Sequence, residues 1–507
     1  MFRDERKHQQ FNQLRQQGLN GAQQLLTPQL FAEVTQRTGI NNGKNPLSHA
    51  NLVWLGIIAA MDCTRNFAGV LQITLKWLHD SGHWKPTSTP TNSPPVNCSQ
   101  SRSKKKPQVC SKHDPRGSDP QQVTEEAFAQ ARQRMSLEFW MMLLLILGER
   151  IQTQFENVLR WKKYRLLSLD GTLLPLPNQK ALRQHYGSAK NGRSPGPVML
   201  RMVMLNLALG RVPLAYRTSP VSTGEKTLAM QLTANLLPND LLLLDAGFWS
   251  YGLFYQIQRQ EAYFGIRLSG AFTNFKIIQR ISQHERLVRW WRPDSPPWRK
   301  NGLPLSLDLR VIDYQMPGFR KTAIVTNCLA SQAISRADWV QVASQSGLSG
   351  QRQIGFGLYH RRWEIETHFR ELKITQRLVV KKKSLLRSHT PQGIEYELAG
   401  HVILNLLLRY LILQAAAAAN VDPLDISFTE ALRELSDMQP LLVRATPEYV
   451  RRVLLPKLLQ RIASHLVPFR PGRHYPRPQD AKPKNLGNGK YKTCLLYTSD
   501  AADERSS

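Results

Sequence analysis

Apolar and polar positions change rhythm several times along the chain. Residues 1–83 carry helix-period patterns, including SHANLVWLGIIAAMD, where Ser48 is placed to cap the first turn, and FAGVLQITLKWL. They predict a small N-terminal helical module. Residues 84–123 lose that rhythm and run to Pro, Ser, Thr, Asn and Lys around SRSKKKP, with too little apolar surface to order themselves. They read as a basic linker.

A single long helix is predicted from Thr124 through AFAQARQRMSLEFWMMLLLILGERIQTQF, with Glu125 and Glu126 at the positive end of its dipole. Short β-compatible runs follow: YRLLSLD, VMLRMVMLNLAL, VPLAYR, LLLLDAGF and AYFGIRL, with EKTLAMQLTANLL suited to a crossover helix. Strands with a crossover helix indicate an α/β core, begun by residues 124–275. Residues 276–350 hold LVRWWRP, LSLDLRVIDY and TAIVTNC between Pro-rich turns and read as an inserted β subdomain. Helical patterns in residues 351–475 complete the core. Within them His401–Asn420 is the most apolar long run, but Asn405, Arg409 and Gln414 make it a buried helix rather than a membrane span.

Length and charge narrow the class. At 507 residues the chain is expected to form two or three domains. Its 68 Lys and Arg against 37 Asp and Glu leave +31, an excess that implies a polyanionic partner. Nucleic acid is favoured over an anionic membrane, because the cations are spread along the chain and no lipidation motif is visible. Five irregularly spaced cysteines and a polar N-terminus without the apolar core of a secretory signal point to the cytoplasm. Cys98, Cys110 and His113 match no standard zinc spacing.

The tail stands apart. Within the 476–507 tail, Cys494–Glu504, CLLYTSDAADE, resembles a translated sequencing-library adaptor, so the gene's own sequence is expected to end before about Cys494 and the remainder is set aside.

Candidate chemistry starts with two aspartates. Asp170 ends YRLLSLD and Asp245 ends LLLLD, which puts both carboxylates at strand ends, where a divalent metal would offset their repulsion. The alternative is that each merely caps a turn. In GLYHRRWEIETHFRELKITQRL, Tyr359, Arg362, Glu366 and Lys373 fall within roughly 60° of one another at about 100° per residue, so one helix face would present all four. A solvated ion-pair face is the alternative there. Glu364 and Glu371 point elsewhere. Asp170, Asp245 and Glu366 could together hold two Mg²⁺ ions about 3.5–4 Å apart for phosphodiester chemistry, with Arg362 and Lys373 on phosphates and the Tyr359 hydroxyl positioning one.

At these residues the sequence resembles the bacterial DDE transposases of the insertion-sequence-four type. The spacing of Tyr359, Arg362, Glu366 and Lys373 matches that family's tyrosine-arginine-glutamate-lysine signature, and DGTLLPLPN and DAGF look like its two aspartate motifs. The similarity covers about residues 124–475. The resemblance implies a ribonuclease-H-like mixed sheet flanked by helices and interrupted by the β insertion, with Asp170, Asp245 and Glu366 as catalytic metal ligands. It also implies Mg²⁺ dependence, with Mn²⁺ as substitute. The partners implied are double-stranded DNA, as transposon ends with terminal inverted repeats and as target, and a second copy in a dimeric synaptic complex. The donor strand would be nicked by water, and the freed 3′ hydroxyl would form a hairpin in some members before joining to target.

In related enzymes an aromatic of the insertion stacks a flipped base, which makes Trp290, Trp291 and Trp298 candidates; packing within the subdomain is the equal alternative. Lys381, Lys382 and Lys383 are expected on phosphates. Competing readings are a structure-selective nuclease on the same core, a non-catalytic DNA-binding relic, and a nucleoid architectural protein, which would have no need of three carboxylates.

Overall fold

YRLLSLDGTLLP forms strand β2 (Tyr164–Pro175), buried as far as Leu169 and half-buried beyond it except at Leu174, which is buried again. The computed structural model describes residues 25–40, 47–61, 69, 71, 123–191, 194–270, 272–294, 302–315, 321–340, 357–380, 383–444 and 447–467. One compact unit, Met1–Tyr314 with Thr322–Pro468, contains all of the strands and helices described.

A short β1 (Arg160–Trp161) pairs with the start of β2. On one side β2 pairs antiparallel with β4 (Ser194–Leu207), which pairs antiparallel with β5 (Val212–Pro220) and carries β3 (Ser188–Asn191) at its near end. On the other side β2 pairs parallel with β6 (Asp240–Leu244), and β6 parallel with β7 (Tyr263–Arg267). The central order is therefore β5-β4-β2-β6-β7, three antiparallel strands followed by a parallel set, which is the ribonuclease-H-like arrangement. The helix Tyr251–Arg259 makes the β6–β7 crossover.

DLLLL is apolar at every position because both faces of β6 are covered. Leu242 and Leu244 face one core with the large helices, whereas Leu241 and Leu243 face a second with Ile324, Trp339, Leu358 and Tyr359. The same sheet continues past β7 through β11 (Thr322–Thr326), β10 (Ser306–Tyr314), β9 (Glu285–Trp291) and β8 (Phe275–Ser282), each antiparallel to its neighbour. These strands extend the core sheet edgewise by hydrogen bonds.

The helical segment after Thr124 is two helices, Glu125–Arg134 and Leu137–Gln154, where the sequence predicts one. Ser136 breaks it by capping the second helix, its Oγ accepting the Phe139 N–H at 3.2 Å. The helix Pro391–Ala419 is long and apolar enough to cross a membrane, yet 78% of its most apolar window is buried inside the protein. A side chain at Gly400 would meet the Gly56 carbonyl oxygen at 2.4 Å, so this helix and His49–Met61 cross backbone to backbone. Apart from Gly69 and Leu71, FAGVLQITLKWL lies outside the described residues, as do 84–122 of the linker and the tail beyond Val467.

Candidate active site

Leu169 of β2 pairs with Leu244 of β6, and Leu244 with Ile266 of β7. The next residues, Asp170, Asp245 and Arg267, therefore stand side by side across three parallel strands. Alternation along each strand turns them toward the face on which Leu358 and Tyr359 pack.

Asp170 is not a strand end, where the sequence placed it. β2 runs on to Pro175 because β4 keeps pairing with it, Asp170 opposite Met204, while β6 stops at Leu244. The carboxylate is thus at the open edge on its β6 side only. Gly171 marks a close approach, since a Cβ there would meet the Glu225 carboxyl group at 2.6 Å. Glu225 itself pairs with Arg201 at 2.8 Å. Asp245 begins a 3-10 turn, Ala246–Phe248, without its side chain capping it, so its carboxylate is left for other use.

The segment carrying Glu366 has three periodicities where the sequence reading assumed one: a 3-10 turn at Leu358–Trp363, α-helix at Glu364–Arg370 and a π turn at Glu371–Thr375. In a 3-10 turn residues i and i+3 eclipse, so Tyr359 and Arg362 align more closely than a continuous α-helix would give. Lys373 falls in the π turn and is half-buried.

Arg362 is the hub. The residue is 6% exposed, its guanidinium lies within electrostatic reach of the Glu366, Asp245 and Asp170 carboxylates, and Nη1 donates to Glu366 Oε1 at 3.0 Å. Its buried Nε–H has no hydrogen-bond partner, and the guanidinium lies 4.8 Å from the centre of the Trp363 ring. Burial pushes the Asp170 carboxyl up to about 7; a hydrogen bond from the Gly171 N–H and the charge of Arg362 oppose this, and Glu366 and Asp245 add to it.

The donors are all carboxylate oxygens, which suits a hard divalent cation. Among the described residues no three His, Cys, Asp or Glu are gathered closely enough to enclose an ion. Glu366 is instead held by Arg362.

Several candidates change role. The Tyr359 hydroxyl, assigned to a phosphate from sequence, donates to the Leu244 carbonyl at 3.0 Å and accepts the Arg267 N–H at 3.1 Å; burial pushes the phenol up to about 12. Trp290, a candidate for base stacking, is 3% exposed and packed among Trp249, Tyr251, Phe254 and Phe272, its Nε1–H donating to Thr273. In this structure it presents no open face to stack on, which fits the packing alternative. Trp291 is partly exposed, Lys383 is exposed on a two-stranded ladder, and Trp298, Lys381 and Lys382 lie outside the described residues. Arg267 was missed, although AYFGIR, like YRLLSLD and LLLLD, is an apolar strand that ends in a charge. Its side chain is exposed, and it and Arg362 both lie within electrostatic reach of Tyr314.

A sequence model of a family described as a transposase DDE domain matches residues 161–390, a span from β1 to the start of the core helix that includes Asp170, Asp245 and Glu366. The chain is 26% identical over 372 residues to the transposase InsG for insertion sequence element IS4 of Escherichia coli (strain K12), covering 71% of this chain and 77% of that protein. A putative transposase, InsZ, of the same organism is 30% identical over 96 residues, 18% of this chain and 32% of the relative. Among solved structures, a cryo-EM structure of the piggyBac transposase synaptic complex with hairpin DNA aligns over 95% of this chain and 91% of its own at TM-score 0.36 and 8% identity, too slight a likeness to carry an argument.

Proposed function

The chain belongs to the DDE transposases of the insertion-sequence-four type, and from that premise we propose that Asp170, Asp245 and Glu366 are its catalytic metal ligands. The protein is a DNA transposase, a metal-dependent enzyme that cleaves and joins DNA. The assignment of residues rests on one observation above others: a single buried guanidinium, Arg362, lies within electrostatic reach of all three carboxylates, which come from three separate elements.

The ions of this reading are two Mg²⁺ per site, with Mn²⁺ as substitute; when bound they stabilise the attacking and leaving oxygens of an in-line displacement. The chain's own residues do the rest. Arg362 offsets carboxylate charge in the free enzyme, and its unpartnered Nε–H is a donor for a phosphate oxygen beside the scissile bond. Arg267, exposed one strand away, takes the neighbouring phosphate. Lys373 and Lys383 extend the basic track, as Lys381 and Lys382 would. Tyr359 acts on the backbone, fixing the strand end that presents Asp245.

In this reading the enzyme binds double-stranded DNA at terminal inverted repeats, as a homodimer in a synaptic complex, in the cytoplasm at the nucleoid. Water nicks the donor strand and frees a 3′ hydroxyl, and the 3′ end of the element is finally joined to target DNA. The test is the joining of labelled element ends to supercoiled plasmid in Mg²⁺ or Mn²⁺ by the wild type, Asp170→Asn and Asp245→Asn. Joined product from the wild type alone supports the assignment, and cutting by the wild type without joining would make it a nuclease.

A further inference from the structure

Two residues before Glu366 and five after it, Glu364 and Glu371 turn the opposite way, into the protein. With His368 they fall at i, i+4 and i+7 and share the inward face. Glu371 and His368 are buried, and Glu364 is 16% exposed at its side chain. The segment also buries an apolar stripe, Ile365, Phe369 and Leu372, and this polar face adds directional contacts beside it.

Its partner is Arg211, at the turn between β4 and β5. Arg211 Nε and Nη2 reach Glu364 Oε2 at 2.8 and 2.7 Å, and Nη1 reaches Glu371 Oε1 at 2.9 Å. The carbonyl oxygen of the same residue lies 3.0 Å from His368 Nδ1. Arg409 of the core helix pairs with the other oxygen of Glu371. Arg211 thus grips two turns of the helix at three points. It does so from a left-handed backbone, φ +50°, a conformation that a non-glycine residue keeps only where its surroundings hold it.

An apolar seam resists separation but tolerates rotation and sliding, whereas directional bonds fix both. Buried ion pairs add little stability over well-packed apolar residues of the same volume, and their best-attested use is to fix register. We infer that Arg211 is a positioning residue: through Glu364 and Glu371 it sets the rotation and height of the helix that presents Glu366 to Asp170 and Asp245. The inference rests on the reading of Glu366 as a catalytic ligand.

The test uses the full chain with its element ends. Glu371→Leu combined with Arg409→Met removes one charge of each sign and leaves Arg211 paired with Glu364. Its thermal midpoint and affinity for end DNA should stay close to wild type. Single-turnover end cleavage should fall about ten- to a hundredfold, the sensitivity expected of a misplaced catalytic group. The Mn²⁺ concentration for half-maximal cleavage should rise severalfold, which loss of stability alone would not cause. Arg211→Lys keeps the charge but loses the fork, and should show both effects more weakly; if the double variant does not fold, this variant decides alone. Wild-type cleavage and an unmoved Mn²⁺ midpoint in whichever of the two variants folds would overturn the inference. Glu366→Gln is run beside them: if it still cleaves, the reading of Glu366 fails, whereas an inactive Glu366→Gln beside fully active network variants refutes the positioning role only.

Discussion

The hydroxyl of Tyr359 donates to the carbonyl of Leu244, the residue immediately before Asp245. Because the same oxygen accepts the Arg267 N–H, one phenol closes the gap between the ends of β6 and β7. The signature tyrosine is therefore part of the scaffold that presents Asp245, which separates it in role from Arg362, three residues on.

Tyr359→Phe keeps the ring and removes the bridge. It leaves a backbone carbonyl and an N–H without their partner, which costs about 1–3 kcal/mol, and it loosens the strand end. End cleavage should fall about tenfold, while affinity for end DNA and its dependence on salt stay unchanged. Titrating binding from 50 to 200 mM salt checks this. A drop in affinity with a shallower salt slope would mean that the hydroxyl touches DNA.

Arg267→Ala should do the reverse. The side chain is exposed and stands in line with Asp170 and Asp245, so its loss should leave the thermal midpoint in place. Removing one phosphate contact lowers the slope of log K against log salt by about one, and it should weaken binding to end and non-specific DNA alike. A salt slope equal to wild type would remove Arg267 from the interface.

His401, within the core helix, gives a pH signature independent of the active site. Burial lowers its pKa from 6.5 to about 3, with Arg387 adding to the shift. Between those values the unfolded chain binds a proton that the fold refuses, so this residue's contribution to stability is complete above pH 6.5 and is lost as pH falls. Each pH unit in that window is worth about 1.4 kcal/mol. The folded Asp170, raised to about 7, acts with the opposite sign, so the comparison must be between variants. Urea unfolding of His401→Leu from pH 6.5 to 4.5 should show stability declining less steeply than wild type by that amount per unit. Parallel curves would refute the burial of a neutral imidazole.

What was legible in the sequence follows from what each feature depends on. β2, β6 and β7 could be read because both of their faces are covered, which forces near-continuous apolar runs. The spacing of Tyr359, Arg362 and Glu366 could also be read, because a helix of any kind keeps near neighbours on one side. The end of β2 could not, since its continuation past Asp170 depends on β4, some 30 residues away. Trp290 looked available because aromatic type says nothing of burial, and only the packing of Trp249 and Phe272 around it shows that it is enclosed. Arg211 gave no signal at all. Its role depends on a left-handed turn and on two glutamates about 150 and 160 residues away that sequence spacing had correctly turned from the face of Glu366.

The central claim is that Glu366 completes a metal-dependent site for cutting and joining DNA. The most direct measurement incubates purified wild type and Glu366→Gln with the element's ends and a supercoiled plasmid in Mg²⁺ or Mn²⁺ and resolves the products on denaturing gels. The account predicts that wild type nicks the ends and joins them to plasmid, while Glu366→Gln binds the same ends with at least wild-type affinity and does neither. Cleavage and joining by Glu366→Gln at the wild-type rate would contradict it.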